Sequence, residues 1–595
     1  MYVSYQNMSN SAPTPVPGLR AGPPGLHRGS KAYLLVLIGA LLPYLPCLGY
    51  GFVYDDDVVI QGNPAILSWR FVPSYFVKPL GAFYTGLRSA HYYRPMVFLW
   101  LRINDFLFGL HPWGWHLTNI LLHAAASLLV LLILRKYFPA GAWAAFGAVI
   151  FAVHPAHIET VAWVSGCTDS LMAVGVLGAF YLWLTALESP SLSRHLGSLA
   201  CFAVALLTKE TAIVLPVMIF TQALIGIPGD DVSGEKGLRR FLYAMRQAIP
   251  YVLLDALYLA ARFLVFRGVP RPSTWISGSE ALLTVPSLLV FYLRHLAWPF
   301  HFSVLYDFPV VPHAGGGAFW APLILLAAIM AACWFWFLRS KDQRIMMAAL
   351  WFLLPLAPVL NIGFFHRDDF VQDRYLYLPV LAVSILLAMA GESLSRAGSR
   401  QNAALAVSVA LMLALGIATM AQIQPWQNNL SLYTNAVRVA PHNAKARNNL
   451  ASEYSNAGRY QEASELLSAL LQDEPNQWLP NYNYGYVNYR LGNLPVAKEY
   501  LSRAIRIDPS EPDQFIYLGT TYFKEGQLLP AEELVRHAIA LKPDGVGYHI
   551  VLGVIKMRQG DLMGARTAML EELKYHPNSE AAQAQLQAIS AQLQK

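Results

Sequence analysis

The sequence predicts an all-α protein in two parts, a polytopic membrane domain followed by an α-solenoid of tetratricopeptide repeats. Three observations predict it. The 595 residues are 55% hydrophobic and only 13% charged, with a mean hydropathy of +0.38, whereas soluble domains carry about 25% charged residues. Apolar runs long enough to enter a bilayer recur from Ala32 to residue 422. From Gln424 the chain turns polar and helix-forming, and a 34-residue period appears.

The first 31 residues are rich in Pro, Gly and Ser and read as a disordered cytoplasmic segment. Arg20, Arg28 and Lys31 precede the first apolar run, 32–52, which is too long for a signal-peptide core and reads as an uncleaved span. Further runs lie near 116–134, 141–154, 170–187, 196–208, 211–227, 245–266, 319–338, 344–361, 375–391 and 402–422. The basic loops at 135–139, 191–195, 235–240, 339–344 and 392–400 then all fall on one side, as the positive-inside rule requires, for about 11 spans over 32–423. That count treats TKET (208–211) as a break between short helices and expects 281–300 to lie along the membrane without crossing. The loop at 53–115 and everything after 422 then share the non-cytoplasmic side.

In 424–595, Pro441, Pro475, Pro509, Pro543 and Pro577 are spaced by 34, as are Gly458, Gly492, Gly526 and Gly560, each followed five residues later by Ala463, Ala497, Ala531 or Ala565. Gly ends the first helix of each pair, Ala admits the second closely, and Pro closes the unit. Stacked pairs leave a concave groove. Its polar, aromatic stretch NYNYGYVNY supplies Asn481, Tyr482, Asn483 and Tyr486 as candidate acceptor-groove residues; stabilising the solenoid is the equally open reading.

The net charge of +7 is dispersed between apolar runs, which argues against a nucleic-acid partner. The four cysteines have no CxxC spacing and imply neither a disulfide framework nor zinc. Chemistry points to FVYDDDVVIQGNP, where Asp55, Asp56 and Asp57 follow the first span among apolar neighbours that would raise carboxylate basicity. Taken alone, such a cluster more commonly solvates a loop. Basic groups map to the same face: Arg94 with His91 in HYYRP, Lys209 beside Glu210 in LLTKE, Arg262, Arg267, Arg367 and Arg374. Charges at the ends of spans are costly and mark function; convergent Arg and Lys suit a phosphate. His154, His157 and Glu159 do not have a zinc or calcium spacing, so supporting hydrogen bonds are expected there and no metal site. His116, Asn119 and His123 share one helical face and read as a buried polar seam.

FVYDDD with NP, then HYYRP, HLTNILLH, FAVHPAHIETVAW, LLTKE and DRYLYLP, in that order and followed by the repeats, resemble the transmembrane and tetratricopeptide-repeat O-mannosyltransferases, membrane glycosyltransferases of the GT-C class. The resemblance covers about 32–595. It implies a GT-C-like helical domain with an acidic pair in its first outer loop, matched by Asp55 and Asp56, and a polyprenyl-phosphate-linked sugar as donor, with Lys209 and Arg374 matching donor-phosphate positions. No further cofactor is implied; the acceptor would be a Ser or Thr hydroxyl of an exported protein. A carboxylate would take the hydroxyl proton as it attacks the anomeric carbon, with inversion, while cations stabilise the leaving phosphate. The compact chain suggests a bacterial inner membrane with periplasmic repeats, or a luminal array in an endoplasmic reticulum membrane. Open alternatives are a lipid or glycan acceptor, an inactive membrane-anchored scaffold, and a transporter. Under the transferase reading, trimming the repeats is expected to cost acceptor choice only.

Overall fold

The structure is a computed structural model that describes residues 26–83, 92–139, 141–226, 237–267, 276–367, 369–396 and 401–594. Among them there are helices and no strands. Eight helices are long and apolar enough to cross a membrane, and a ninth forms if the pair Ala142–Val153 and Pro155–Ala162, bent by 49°, is one span. The protein is a multi-pass membrane protein. The count falls below 11 because Leu192–Thr208 and Glu210–Ile225 are short, and because Val380–Arg396 has 17 residues. The break between the first two is where TKET predicted it: the helix stops at Thr208 and Lys209 is extended.

The stretch expected to lie along the membrane is one 20-residue helix, Gly278–Ala297, long and apolar enough to cross. Its two ends are tied to other parts of the membrane domain. Glu280 pairs with Arg367 at 2.9 Å, and the Leu296 carbonyl meets His154 at 3.2 Å. The core forms where Pro112–Tyr137, Ala142–Val153, Cys167–Glu188 and Val380–Arg396 meet, with Trp183, Phe151 and Leu381 almost wholly buried. By contrast, Gly317–Ser340 buries none of its residues.

The repeats follow the sequence closely. Helix pairs Ala444–Asn456 with Tyr460–Asp473, Trp478–Leu491 with Leu494–Ile507, Pro512–Lys524 with Leu528–Leu541, and Tyr548–Arg558 with Leu562–Tyr575 stack between the flanking helices Asn429–Val439 and Glu580–Leu593. Gly492 and Gly526 turn the chain at φ +83° and +80°, in the left-handed region that favours glycine. Ala463, Ala497, Ala531 and Ala565 are fully buried between helices.

The array does not hang free. The Tyr54 amide donates to Asn429 Oδ1 at 2.8 Å, and Lys445 Nζ donates to Tyr54 Oη at 3.1 Å and Asp369 Oδ2 at 2.6 Å. Asn435 and Asn443 donate to the carbonyls of Phe302 and Tyr306, and the His442 amide to Asp307. The first repeat helices are therefore docked on the membrane domain beside the aspartate loop. Asn429 and Lys445 thus contact the acidic loop and Asp369 directly, so the helices Asn429–Val439 and Ala444–Asn456 are joined to the membrane domain.

Candidate active site

The first span ends in a tight 3-10 turn, Leu42–Gly49, with prolines at 43 and 46. The chain then extends into the acidic loop, where Tyr54 adopts φ +60°, a conformation rare and costly for a bulky residue. Its amide bond to Asn429 and the edge-on packing of its ring on Trp163, 5.2 Å between centroids, hold it there.

The three aspartates separate into three environments. Asp56 is fully buried, and its carboxylate accepts from the Val53 amide at 3.1 Å, the Ser165 amide at 2.9 Å and the Ser165 hydroxyl. Burial pushes its carboxyl up to about 7 against the pull of those bonds. Asp56 thus pins the loop to the turn ahead of Cys167–Glu188. Asp55 is open to solvent, yet surrounding protein desolvates its carboxyl and raises it; Lys445 and Arg374 pull the other way, and Asp369 adds to the rise. Asp57 is exposed and accepts a hydrogen bond from the Asn429 side chain.

Near this loop, three of the expected cations have carboxylate partners. Lys209 Nζ lies 2.6 and 2.7 Å from the oxygens of Asp169, both side chains almost wholly buried. Arg94 makes a two-pronged pair with Glu210 at 3.0 and 2.6 Å. Arg374 binds Glu159 through its guanidinium and its amide, and its guanidinium lies over Trp163 at 5.2 Å. The three pairs form one cluster, since Lys209 feels the charges of Arg94 and Arg374, and Arg374 that of Asp169. The cations are not a bare clamp: three positive and three negative charges balance. A buried ion that lacked its partner would cost several kcal/mol, roughly 3–5 for a broken pair, which is why the carboxylates are there.

Of the other expected residues, Arg267 is exposed at the end of Leu238–Val265 and is joined to none of these pairs, while His91 lies outside the described residues. Arg367 pairs with Glu280 on the surface. His154 and His157 occupy the bend between Ala142–Val153 and Ile158–Ala162. There His157 packs on Tyr377 at 4.4 Å and on Phe151 at 4.5 Å, and His154 caps the Ala156 amide. The polar seam is as expected: His116 meets the Gly51 carbonyl, Asn119 donates to the carbonyls of Trp163 and Val164, and His123 bridges Tyr377 and the Ala152 carbonyl.

In the repeats, Asn481 is not a groove residue. It is fully buried, and its amide donates to the carbonyls of Pro475 and Gln477. Arg447, His549 and Gln583 do the same for Pro441, Pro543 and Pro577, six residues back in each case. Asn483 links neighbouring first helices through Asn448 at 2.8 Å. Tyr482 and Tyr486 gather with Tyr489 around Tyr517, at 4.7 to 6.1 Å between centroids, and Tyr486 accepts from Arg490.

Sequence reasoning missed Asp169, Ser165, Asn429, Asp369 and Lys445. Asp169 alone carried a local signal, a carboxylate in the first turn of an apolar helix with no visible partner.

Comparison with known proteins agrees with this architecture. Residues 93–233 match the family model described as dolichyl-phosphate-mannose-protein mannosyltransferase, and 449–512 match a tetratricopeptide-repeat model. The chain is similar to protein O-mannosyl-transferase Tmtc3 of Drosophila melanogaster, 24% identical over 73% of this chain and 54% of the relative. It is also similar to protein O-mannosyl-transferase TMTC1 of Homo sapiens, 27% identical over 71% and 54%. A crystal structure of MamA aligns with 25% of this chain and 86% of its own, at 21% identity and a TM-score of 0.23. The chain spans little more than half the length of the curated relatives it matches first. In its ordered motifs, its helical membrane domain and its 34-residue repeats, the chain is similar to the transmembrane and tetratricopeptide-repeat O-mannosyltransferases.

Proposed function

We propose that the protein transfers a sugar, mannose by analogy with its relatives' names, from a polyprenyl phosphate to a Ser or Thr hydroxyl of an exported protein. The reaction takes place at the non-cytoplasmic face, in a bacterial inner membrane with the repeats in the periplasm. The observation that carries this reading is Asp55: a solvent-open carboxylate, made more basic by the protein around it, near a cluster holding Lys209, Arg94 and Arg374. Asp55 takes the acceptor proton as the hydroxyl attacks the anomeric carbon. The C–O bond to the phosphate breaks as the new glycosidic bond forms from the opposite face, so the anomeric centre inverts. Arg374 and Lys209 stabilise the departing polyprenyl phosphate, and Asp169, Glu159 and Glu210 hold the cations in place before it arrives. Asp56 is a positioning residue, and Tyr482, Tyr486 and Tyr517 offer an aromatic lining for an acceptor peptide. The chemistry needs no cofactor beyond the lipid-linked donor.

The test is reconstitution with a polyprenyl-phospho-mannose donor and candidate exported proteins, comparing wild type with Asp55→Asn. Unchanged transfer by the variant sinks the assignment, as does a reporter after Lys595 that reads cytoplasmic. One observation favours the runner-up, a lipid or glycan acceptor with the repeats serving assembly: Asn481 and Asn483 are engaged in solenoid bonds. Transfer to lipid in the absence of any protein acceptor would establish it.

A further inference from the structure

At the end of the membrane domain far from Asp55 lies a cavity of about 480 Å³ between Cys167–Glu188, Leu192–Thr208 and Leu238–Val265. Cys167–Glu188 has its first turn beside Asp169 and the site, and its 22 residues put its far end about 30 Å away. The cavity is walled by Trp183, Leu187, Leu199 and Pro250, and Arg246 and His195 line it.

Its charges are unlike those of the active face. There Arg94, Lys209 and Arg374 each have a carboxylate; here, among the described residues, none contacts Arg246. The nearby Glu188 is already paired with Lys136 at 2.5 Å, and Arg194 donates to the carbonyls of Thr185 and Ser189. Arg239 and Arg240 open the same helix as Arg246, so among the described residues the local balance is positive. The backbone adds a second polar feature. Pro250 has no N–H, so the carbonyl of Arg246, four residues back, has no helical donor. Trp183 closes the wall by donating from Nε1 to Gln247 at 3.1 Å.

An unpaired guanidinium, a free carbonyl and apolar walls between spans suit a group that is anionic at one end, carries a hydroxyl and continues into acyl chains. We propose that this cavity binds the phosphodiester headgroup of an anionic phospholipid from the leaflet opposite the Asp55 face. Arg246 meets the phosphate, the Arg246 carbonyl accepts from a headgroup hydroxyl, and Leu187 and Leu199 flank the first methylenes. Basic pockets between spans on the face rich in Lys and Arg are where such headgroups bind.

The full chain, purified in neutral detergent, is titrated with phosphatidylglycerol, phosphatidylcholine or inorganic phosphate, and bound lipid is counted by native mass spectrometry. Wild type should retain phosphatidylglycerol, and Arg246→Gln should weaken retention about fivefold, the worth of one cation near a membrane surface. Arg339→Gln, on another helix, should retain it as wild type does. Leu199→Trp, which fills the cavity while leaving every charge, should also lose the lipid. Equal retention of phosphatidylcholine, binding of inorganic phosphate alone, or wild-type retention by both Arg246→Gln and Leu199→Trp overturns the proposal.

Discussion

The repeat array and the ion-pair cluster of the membrane domain use polar groups in opposite ways. In the array they work locally and periodically: a side chain six residues after each of four prolines caps that proline's carbonyl, and the pattern returns every 34 residues. In the cluster they work in pairs that are distant along the chain, 40 residues for Lys209 with Asp169, 116 for Arg94 with Glu210 and 215 for Arg374 with Glu159. The array spreads its stability over many small contacts, while the cluster concentrates it in a few bonds whose loss leaves a buried charge.

That contrast can be broken most sharply at Asp55. Asp55→Asn should lower transfer by about 10²–10⁴-fold, the range for a general base, while shifting stability by less than about 0.5 kcal/mol; parallel activity and unfolding measurements check both. Next comes Lys209→Met, which leaves Asp169 buried and unpaired and should cost about 3–5 kcal/mol, with most of it recovered in the double variant Lys209→Met, Asp169→Leu. Thermal unfolding in detergent reads this out, and additive losses would show that the pair does not act as a unit.

Asp56→Asn should cost about 1–3 kcal/mol, because an amide cannot accept all three donors. It should also change the pH dependence. Burial raises the Asp56 carboxyl from 3.8 to about 7, so between those values the folded state binds more protons than the unfolded one. Its contribution to stability therefore falls as pH rises from about 4 to about 7 and is level above that, and Asp56→Asn should flatten this segment. In the array, Gly526→Ala meets no atom within 4 Å but forces φ +80° on a side chain, costing about 1–2 kcal/mol. Spread over a solenoid, this should leave transfer nearly unchanged. The subtlest effect is expected for Lys445→Gln. It removes a charge that lowers the Asp55 carboxyl, so the acid limb of the transfer rate should move to higher pH; an unmoved limb would separate Lys445 from catalysis.

What was legible follows the same divide. The glycine, alanine and proline positions of the array could be read directly, because each is dictated by backbone geometry within one repeat. The apolar runs showed the membrane domain, and the break at Lys209 stood out as a charge inside them. The acidic loop could be located but its members could not be ranked, since Asp55 and Asp56 differ only in what folds over them: Ser165, from over a hundred residues downstream, engages one and leaves the other. The cations were visible and their partners were not, because a pairing across 215 residues leaves no periodic trace. Asn481 was misassigned for the converse reason, a polar side chain with a local duty inside a stretch that looked like a binding surface.

The bond from Tyr54 to Asn429 has a consequence in time. The two residues are 375 positions apart, so on a growing chain the acidic loop exists long before the helix that holds its strained backbone. At ordinary synthesis rates that interval is roughly 20 to 75 seconds. Until it has passed, the loop lacks the amide partner that keeps Tyr54 at positive φ, and Asp55 lacks its working orientation. Under the proposed function, a half-made chain already in the membrane would be kept from acting on whatever lies nearby, and competence would arrive together with the first of the repeats.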